Sequence, residues 1–284
     1  MSLIGSARTL GISLICGAAL LGASAPAAAQ DSPNGGAVTV TGGIDFLNAY
    51  YFRGIPQDES GVIMWPYVDL GFALYSGDGG LKSVGVNAGV WNSLHTGDAG
   101  LDGPTEKLWY ESDFYATLGL GFGGGTSVGV TYTAYNSPNG LFSTVKELAF
   151  KFAVDDSGYL GGASVKPYVL LARELGDVQA DGGLEAGTYL ELGIAPGYSM
   201  PRVSFSVPVK VGLSLSDYYE GLDGDERFGF FSIGGTATVP FTSMPTKFGT
   251  WNIHGGVEYL RLGDRNQALG ENNVIGSVGI GFTY

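Results

Sequence analysis

The side chains able to do chemistry in this sequence are carboxylates, two histidines and little else. Cys16 is the single cysteine and falls in an N-terminal leader, so thiol nucleophiles, disulfide frameworks and cysteine-ligated zinc are excluded from the rest of the chain. Nucleophilic hydrolysis needs a hydroxyl, a base and an orienting group within reach of one another. Only His95 and His254 offer an imidazole, and neither belongs to a His-x-Ser pair. His254 shares a strand face with Asn252 and Glu258, which could orient its ring, but a polar residue turned to a wet interior explains the same spacing. His95 stands at a strand end beside a polar loop, where solvation is expected. Gly119-x-Gly121-x-Gly123-Gly124-Gly125 runs from a strand into a tight turn with no helix after it, so it is no phosphate cradle. The spacing of Asp223-Gly224-Asp225-Glu226 does not match an EF-hand loop. The expectation is a non-enzyme without cofactor or metal.

What remains is electrostatic. Against 14 Lys+Arg stand 27 Asp+Glu, a formal charge of −13. A nucleic-acid partner is excluded, because binding it needs a basic surface to displace phosphate counterions. On the polar face of alternating stretches lie Asp45, Asp69, Glu111, Asp113, Glu147, Glu185, Glu191 and Glu258, against Arg53, Lys151, Lys166 and Lys210. Carboxylates lining a passage favour cations. These charges could instead brace a wall, with Glu147 and Lys151 as one pair. A second set of acids, including Asp58, Glu59, Asp98, Asp102, Asp217, Glu220, Asp223, Asp225, Glu226, Asp264 and Glu271, falls between the alternating stretches. They read as solvated loops, or as loops that hold divalent ions at a lipopolysaccharide surface.

The elements that must position these charges are strands. Glycine numbers 49, aromatics are 12% and charged residues only 14%, which argues against both disorder and an ordinary soluble enzyme. From Ser204, Phe205, Val207, Val209, Val211, Leu213 and Leu215 point one way while Ser, Pro, Lys and Gly point the other, the parity of a strand. About twelve such runs recur, near 43–54, 61–76, 81–95, 107–123, 126–136, 143–154, 163–175, 184–195, 203–216, 227–240, 247–263 and 273–284. Connections alternate between long acidic ones and short glycine turns such as 76–81 and 123–126, with 155–163 an exception. An even strand count and that alternation imply an all-β, closed antiparallel transmembrane β-barrel of about twelve strands. A secreted sandwich would carry a charge-rich outer face in place of the Gly, Ser, Thr and Tyr seen here. Tyr50, Phe52, Trp109, Tyr110, Trp251 and Tyr259 near strand ends suit interfacial girdles, though parity sends Trp109 inward and Tyr110 outward.

Residues 1–30 read as a signal peptide: Arg8, an apolar stretch from Leu10 to Leu21, then Ala27-Ala28-Ala29 as the cleavage motif. Residues 31–284 are then one barrel. The chain ends Ser277-Val278-Gly279-Ile280-Gly281-Phe282-Thr283-Tyr284. This resembles the C-terminal assembly signal of outer-membrane barrels, with Ser277, Gly279, Phe282 and Tyr284 on its defining positions. The resemblance implies the barrel-assembly machinery as a partner.

Tyr50-Tyr51-Phe52-Arg53-Gly54-Ile55-Pro56-Gln57 resembles the opening motif of the TorF-type porin family. Asn87-Ala88-Gly89-Val90-Trp91-Asn92-Ser93 and the strand from Glu111 to Leu120 are similar to later segments of that family, within residues 44–135. The resemblance implies an outer-membrane barrel and supplies no catalytic residues. The expectation is a narrow passive pore in the bacterial outer membrane, in contact with lipid and lipopolysaccharide. It would pass small solutes or ions, prefer cations, and be lined by Asp45, Arg53, Asp69, Glu111, Asp113, Glu147, Lys151, Glu191, Lys210 and Glu258. The alternative is a surface barrel with a plugged lumen and functional acidic loops, Tyr218 and Tyr219 among their contact residues. An outer-membrane hydrolase stands third.

Overall fold

The computed structural model describes residues 37–160, 162–221 and 224–284, so the expected signal peptide, Cys16 and Asp223 lie outside the described residues. Twelve strands form the wall. They are β1 (Val38–Leu47), β2 (Ile63–Ser76), β3 (Leu81–His95), β4 (Trp109–Phe122), β5 (Thr126–Asn136), β6 (Val145–Val154), β7 (Tyr168–Glu174), β8 (Thr188–Ile194), β9 (Val209–Ser216), β10 (Phe228–Pro240), β11 (Thr250–Leu262) and β12 (Asn273–Thr283). Each pairs antiparallel with its neighbours in sequence, and β12 closes on β1 with Thr41 opposite Thr283 and Leu47 opposite Ser277.

Closure removes every sheet edge, and the faces are inverted relative to a water-soluble protein. Val68, Leu70, Phe72, Phe114, Leu118, Phe150, Phe152, Ile253, Val257, Val278 and Ile280 are exposed on the outside. Trp65, Trp91, Glu111, Asp113, Glu147, Glu191 and Glu258 are buried inside. An outer belt of that kind requires a hydrocarbon solvent, and a closed barrel satisfies its backbone there. Glycines let lumen aromatics lie flat on the wall. A Cβ at Gly89 would sit 2.3 Å from the Tyr115 hydroxyl oxygen, and one at Gly193 would sit 2.3 Å from the Tyr168 ring.

The strand set matches the alternation except in three places. Strand β1 ends at Leu47, and the chain then leaves the wall, so Tyr50 and Phe52 are buried inside the barrel rather than in a girdle. Asn48 closes the gap this leaves: its Nδ2 donates to the Val274 carbonyl (3.2 Å) and its Oδ1 accepts from Gly276 N (2.6 Å). In β4 a bulge opposite Ser93–Leu94 inverts the parity, turning Trp109 outward and Tyr110 inward onto His95. Strands β7 and β9 are shorter than their alternation, each broken by a proline at the barrel end where β1 begins and β12 ends, and β8 starts only at Thr188. Lys166 sits at one break with φ 50°, and Glu185 is exposed in a loop. Asn48→Ala should lower stability by about 1 kcal/mol, seen as an earlier loss of the compact, heat-modifiable band on a gel; no shift would show that water replaces the amide fully.

Candidate functional site

The segment after β1 determines what the lumen can do. Tyr50–Phe52 and Ile55–Asp58 form a hairpin of two short strands, and Arg53 (φ 51°) and Gly54 (φ 83°) make its turn. Left-handed backbone at both positions gives the tight reversal that ordinary residues resist, and glycine tolerates it at the second. The hairpin lies inside the barrel, with Tyr50, Tyr51, Phe52 and Ile55 all under 10% exposed. Tyr50 packs against Trp65, Trp91, His95 and Tyr110, and Phe52 packs edge-on to Tyr135.

Arg53 is therefore not a wall residue as parity implied, but the tip of an inserted loop. Its guanidinium makes two parallel bonds to Glu147, Nη1–Oε2 at 2.5 Å and Nη2–Oε1 at 2.7 Å. It lies 4.2 Å from the Tyr189 ring centroid, and its Nη1 also donates to the Tyr218 hydroxyl at 2.8 Å. The Tyr219 hydroxyl donates to the Arg53 carbonyl at 2.9 Å. Tyr218 and Tyr219, expected to face a partner from the loop, are instead buried clamps on the hairpin tip. Bidentate geometry, two nearby rings and exclusion of water make this a strong clasp.

A second attachment holds the base of the hairpin. Asp58 Oδ2 meets His95 Nδ1 at 2.9 Å, and His95 Nε2 meets Ser93 Oγ at 2.6 Å. The Asp58 carboxylate also accepts from Ser60 N and Oγ, and Trp65 Nε1 donates to Ser93 Oγ at 2.9 Å. His95 is thus fully buried, not solvated, because Tyr110 stacks over it from the bulge. The connectivity is that of a serine–histidine–aspartate relay. Yet Ser93 has no accessible surface and its oxygen is held by the indole, so no substrate carbonyl can reach it. Burial pushes the Asp58 carboxyl up, but bonds from His95 and Ser60 outweigh this and hold it below the usual carboxylate range.

The wall residues among those expected to line a passage fall into three groups. Beneath the hairpin, toward the end where β1 begins and β12 ends, the side chains stay partly solvated. His254 Nε2 meets Asp45 at 2.7 Å while its Nδ1 meets Asn252, and Asp69 accepts from Asn87 at 2.6 Å. Lys151 lies over the Tyr168 ring at 4.4 Å rather than pairing with Glu147. At the level of the hairpin tip, Lys210 pairs with Glu258 at 3.2 Å, and Glu191 accepts from Tyr168 and Tyr189 at 2.6 Å each. Glu258 therefore does not orient His254 as the spacing allowed. Glu111 and Asp113 lie buried below Tyr50 with no ion pair among the described residues. At the hairpin level the space between the hairpin and the wall lined by Tyr51, Arg53, Gly54, Lys210, Phe230 and Glu258 amounts to about 10 Å³, room for one water at most.

No family model matches the chain, and no curated protein matches it. Solved outer-membrane barrels share its fold. An outer membrane channel from Pseudomonas putida F1 aligns with a TM-score of 0.51 at 12% identity, over 88% of this chain and 96% of that one. The Salmonella typhi outer membrane phospholipase dimer with bound calcium aligns at 0.47 and 13% identity, over 85% and 90%. The NanC porin aligns at 0.41 and 11% identity, over 87% and 98%. At such identities the likeness is one of fold.

The sign of the Asp58 effect sets a pH dependence. A carboxyl depressed in the folded state stabilises it above the ordinary carboxylate value, and that stability is lost as pH falls through the depressed value. Hairpin attachment should thus hold from neutrality to about pH 4 and weaken only below it, read by tryptophan fluorescence from Trp65 and Trp91. Asp58→Asn should flatten that acid limb; an unchanged limb would assign the transition to other carboxyls.

Proposed function

We propose that this protein is an outer-membrane pore whose passage is shut by its own hairpin and opens when the Arg53–Glu147 clasp lets go. The observation that carries this reading is a solvated, polar vestibule that stops at a single inserted element. Asp45, Asp69, Asn87, Lys151 and His254 are partly exposed below the hairpin, whereas the side chains at its level are sealed. A barrel that served only as a plug would gain more from an apolar fill than from buried ion pairs, which are costly to desolvate. Twelve strands lie between barrels filled by side chains and those with wide aqueous channels, so a narrow passage suits the wall.

Small hydrophilic solutes or ions are the cargo on this reading, and cations are preferred. Asp45, Asp69, Glu111, Asp113, Glu147, Glu191 and Glu258 line the route, against Arg53, Lys151 and Lys210. The same reading takes the outer membrane as the location, the barrel-assembly machinery as the agent that recognises Ser277, Gly279, Phe282 and Tyr284, and residues 1–30 as a removable leader. One observation favours the rival reading, a permanently plugged barrel with functional loops: the Asp58–His95–Ser93 contacts attach the hairpin base independently of the clasp at its tip.

Conductance separates the two. Arg53→Ala leaves Glu147 buried and unpaired, a loss of about 3 kcal/mol that favours withdrawal of the hairpin. In planar bilayers the variant should show discrete steps and a cation-directed reversal potential in a salt gradient, while the parent stays mostly closed. Silent, folded Arg53→Ala barrels would favour the plugged reading, and an anion-directed potential would remove the selectivity.

A further inference from the structure

Three prolines interrupt the wall at one level. Pro167, Pro196 and Pro208 separate β7, β8 and β9 from the short strands Ala163–Ser164, Gly197–Met200 and Val203–Ser206 that continue them toward the rim where β1 begins and β12 ends. Register sets these breaks side by side. Tyr168 opposite Gly193 and Ser164 opposite Gly197 bracket Pro167 and Pro196. Gly197 opposite Ser206 brings Pro196 against Val207. Ser206 opposite Thr236 and Val209 opposite Ile233 bring Val207 and Pro208 against Gly235 and Gly234. Gly235 in turn faces Val257, beside Gly255 and Gly256. One seam therefore crosses five adjacent strands.

The seam is weak in two respects. A proline within a sheet has no N–H to give to the ladder. Val207 N donates to the Pro196 carbonyl (2.7 Å) and Gly234 N to the Pro208 carbonyl (2.9 Å), but neither proline nitrogen can donate back. Glycine also leaves the wall bare: a Cβ at Gly235 would meet nothing within 4 Å. On the outer face the seam opens into a groove of about 380 Å³, walled by Phe205, Val207, Ala237 and Val257 and floored by Gly235 and Gly255.

We propose that this seam is a lateral exit, at which the wall parts between β9 and β10 and a small uncharged apolar molecule moves between the lumen and the bilayer through the groove. A barrel wall resists parting because each broken ladder bond goes unsatisfied in hydrocarbon. Here Pro208 has already removed one donor from the β9–β10 ladder, and the adjoining apolar groove receives the solute. For entry from outside the cell, the route rests on the hairpin gate proposed above.

The test uses cells producing Arg53→Ala barrels and N-phenyl-1-naphthylamine, an apolar dye that fluoresces on reaching the bilayer. Val207→Cys with Gly235→Cys places two thiols directly across the seam, and the sequence outside the leader contains no competing cysteine. The Arg53→Ala barrel should take up dye several-fold faster than vector cells. The oxidised cysteine pair should return uptake to the vector rate, and reductant should restore it, with single-channel conductance the same in both states. Gly235→Leu, which fills the groove without a cross-link, should block uptake likewise and guards against misfolding of the cysteine variant. Equal uptake in oxidised and reduced barrels would overturn the exit. Dye exclusion by an Arg53→Ala barrel that conducts ions would overturn it while leaving the pore intact, and exclusion by one that is silent would overturn both.

Discussion

The buried pair of Arg53 and Glu147 is the interaction on which the lumen is organised. An arginine carried to the middle of a barrel must find a carboxylate there, because an unpaired guanidinium loses its hydration without return. Glu147 on β6 provides it with two bonds, Tyr189 on β8 provides a ring face, and the loop after β9 provides the Tyr218 and Tyr219 hydroxyls. One side chain thereby ties a hairpin from the start of the chain to the opposite wall. The aromatic packing of Tyr50, Phe52 and Ile55 follows from that placement. Apolar packing alone would fill the space without fixing the hairpin's depth.

The same logic explains why a serine–histidine–aspartate relay here is architecture rather than catalysis. Each atom that would react is already used. Ser93 receives the indole N–H of Trp65, His95 spends both nitrogens, and Asp58 is a member of the hairpin itself. The network satisfies polar groups that closure has buried, and it joins the hairpin base to β3. The vestibule side chains below it differ in kind, since Asp45 and His254 keep about a fifth of their surface in contact with solvent.

Much of this was legible in the alternation of side chains, because a membrane barrel enforces parity from both sides. Eleven of the twelve wall strands lie within period-two runs, while β1 begins five residues before its run at 43–54, and nine of the ten residues expected to line a passage sit on wall strands. Arg53 is the exception, since its local pattern continues β1 and nothing in it marks the departure at Asn48. Trp109 and Tyr110 exchanged faces because a bulge adds one residue to one strand only, and a period count carries that error forward. His95 looked solvated because its cover, Tyr110, comes from the strand whose parity had been inverted. The broken strands were the more accessible signal: Pro167 and Pro208 each sit inside an alternating run, where a sheet has no use for proline, and Pro196 directly follows one. Only the register shows that they line up.

The central claim is that the route through the barrel is the route through the hairpin. A Cβ at Gly54 would lie 2.8 Å from the Phe230 Cβ, so a backbone shift of about 1 Å brings Gly54→Cys and Phe230→Cys to disulfide spacing and tethers the hairpin tip to β10, at the cost of some strain at the left-handed Gly54. Introduced into the Arg53→Ala barrel and recorded in a planar bilayer, this tether should abolish the current when oxidised and release it on reduction. Current that persists unchanged through the oxidised tether would show that ions take another path, and the account of the hairpin as the gate would fall.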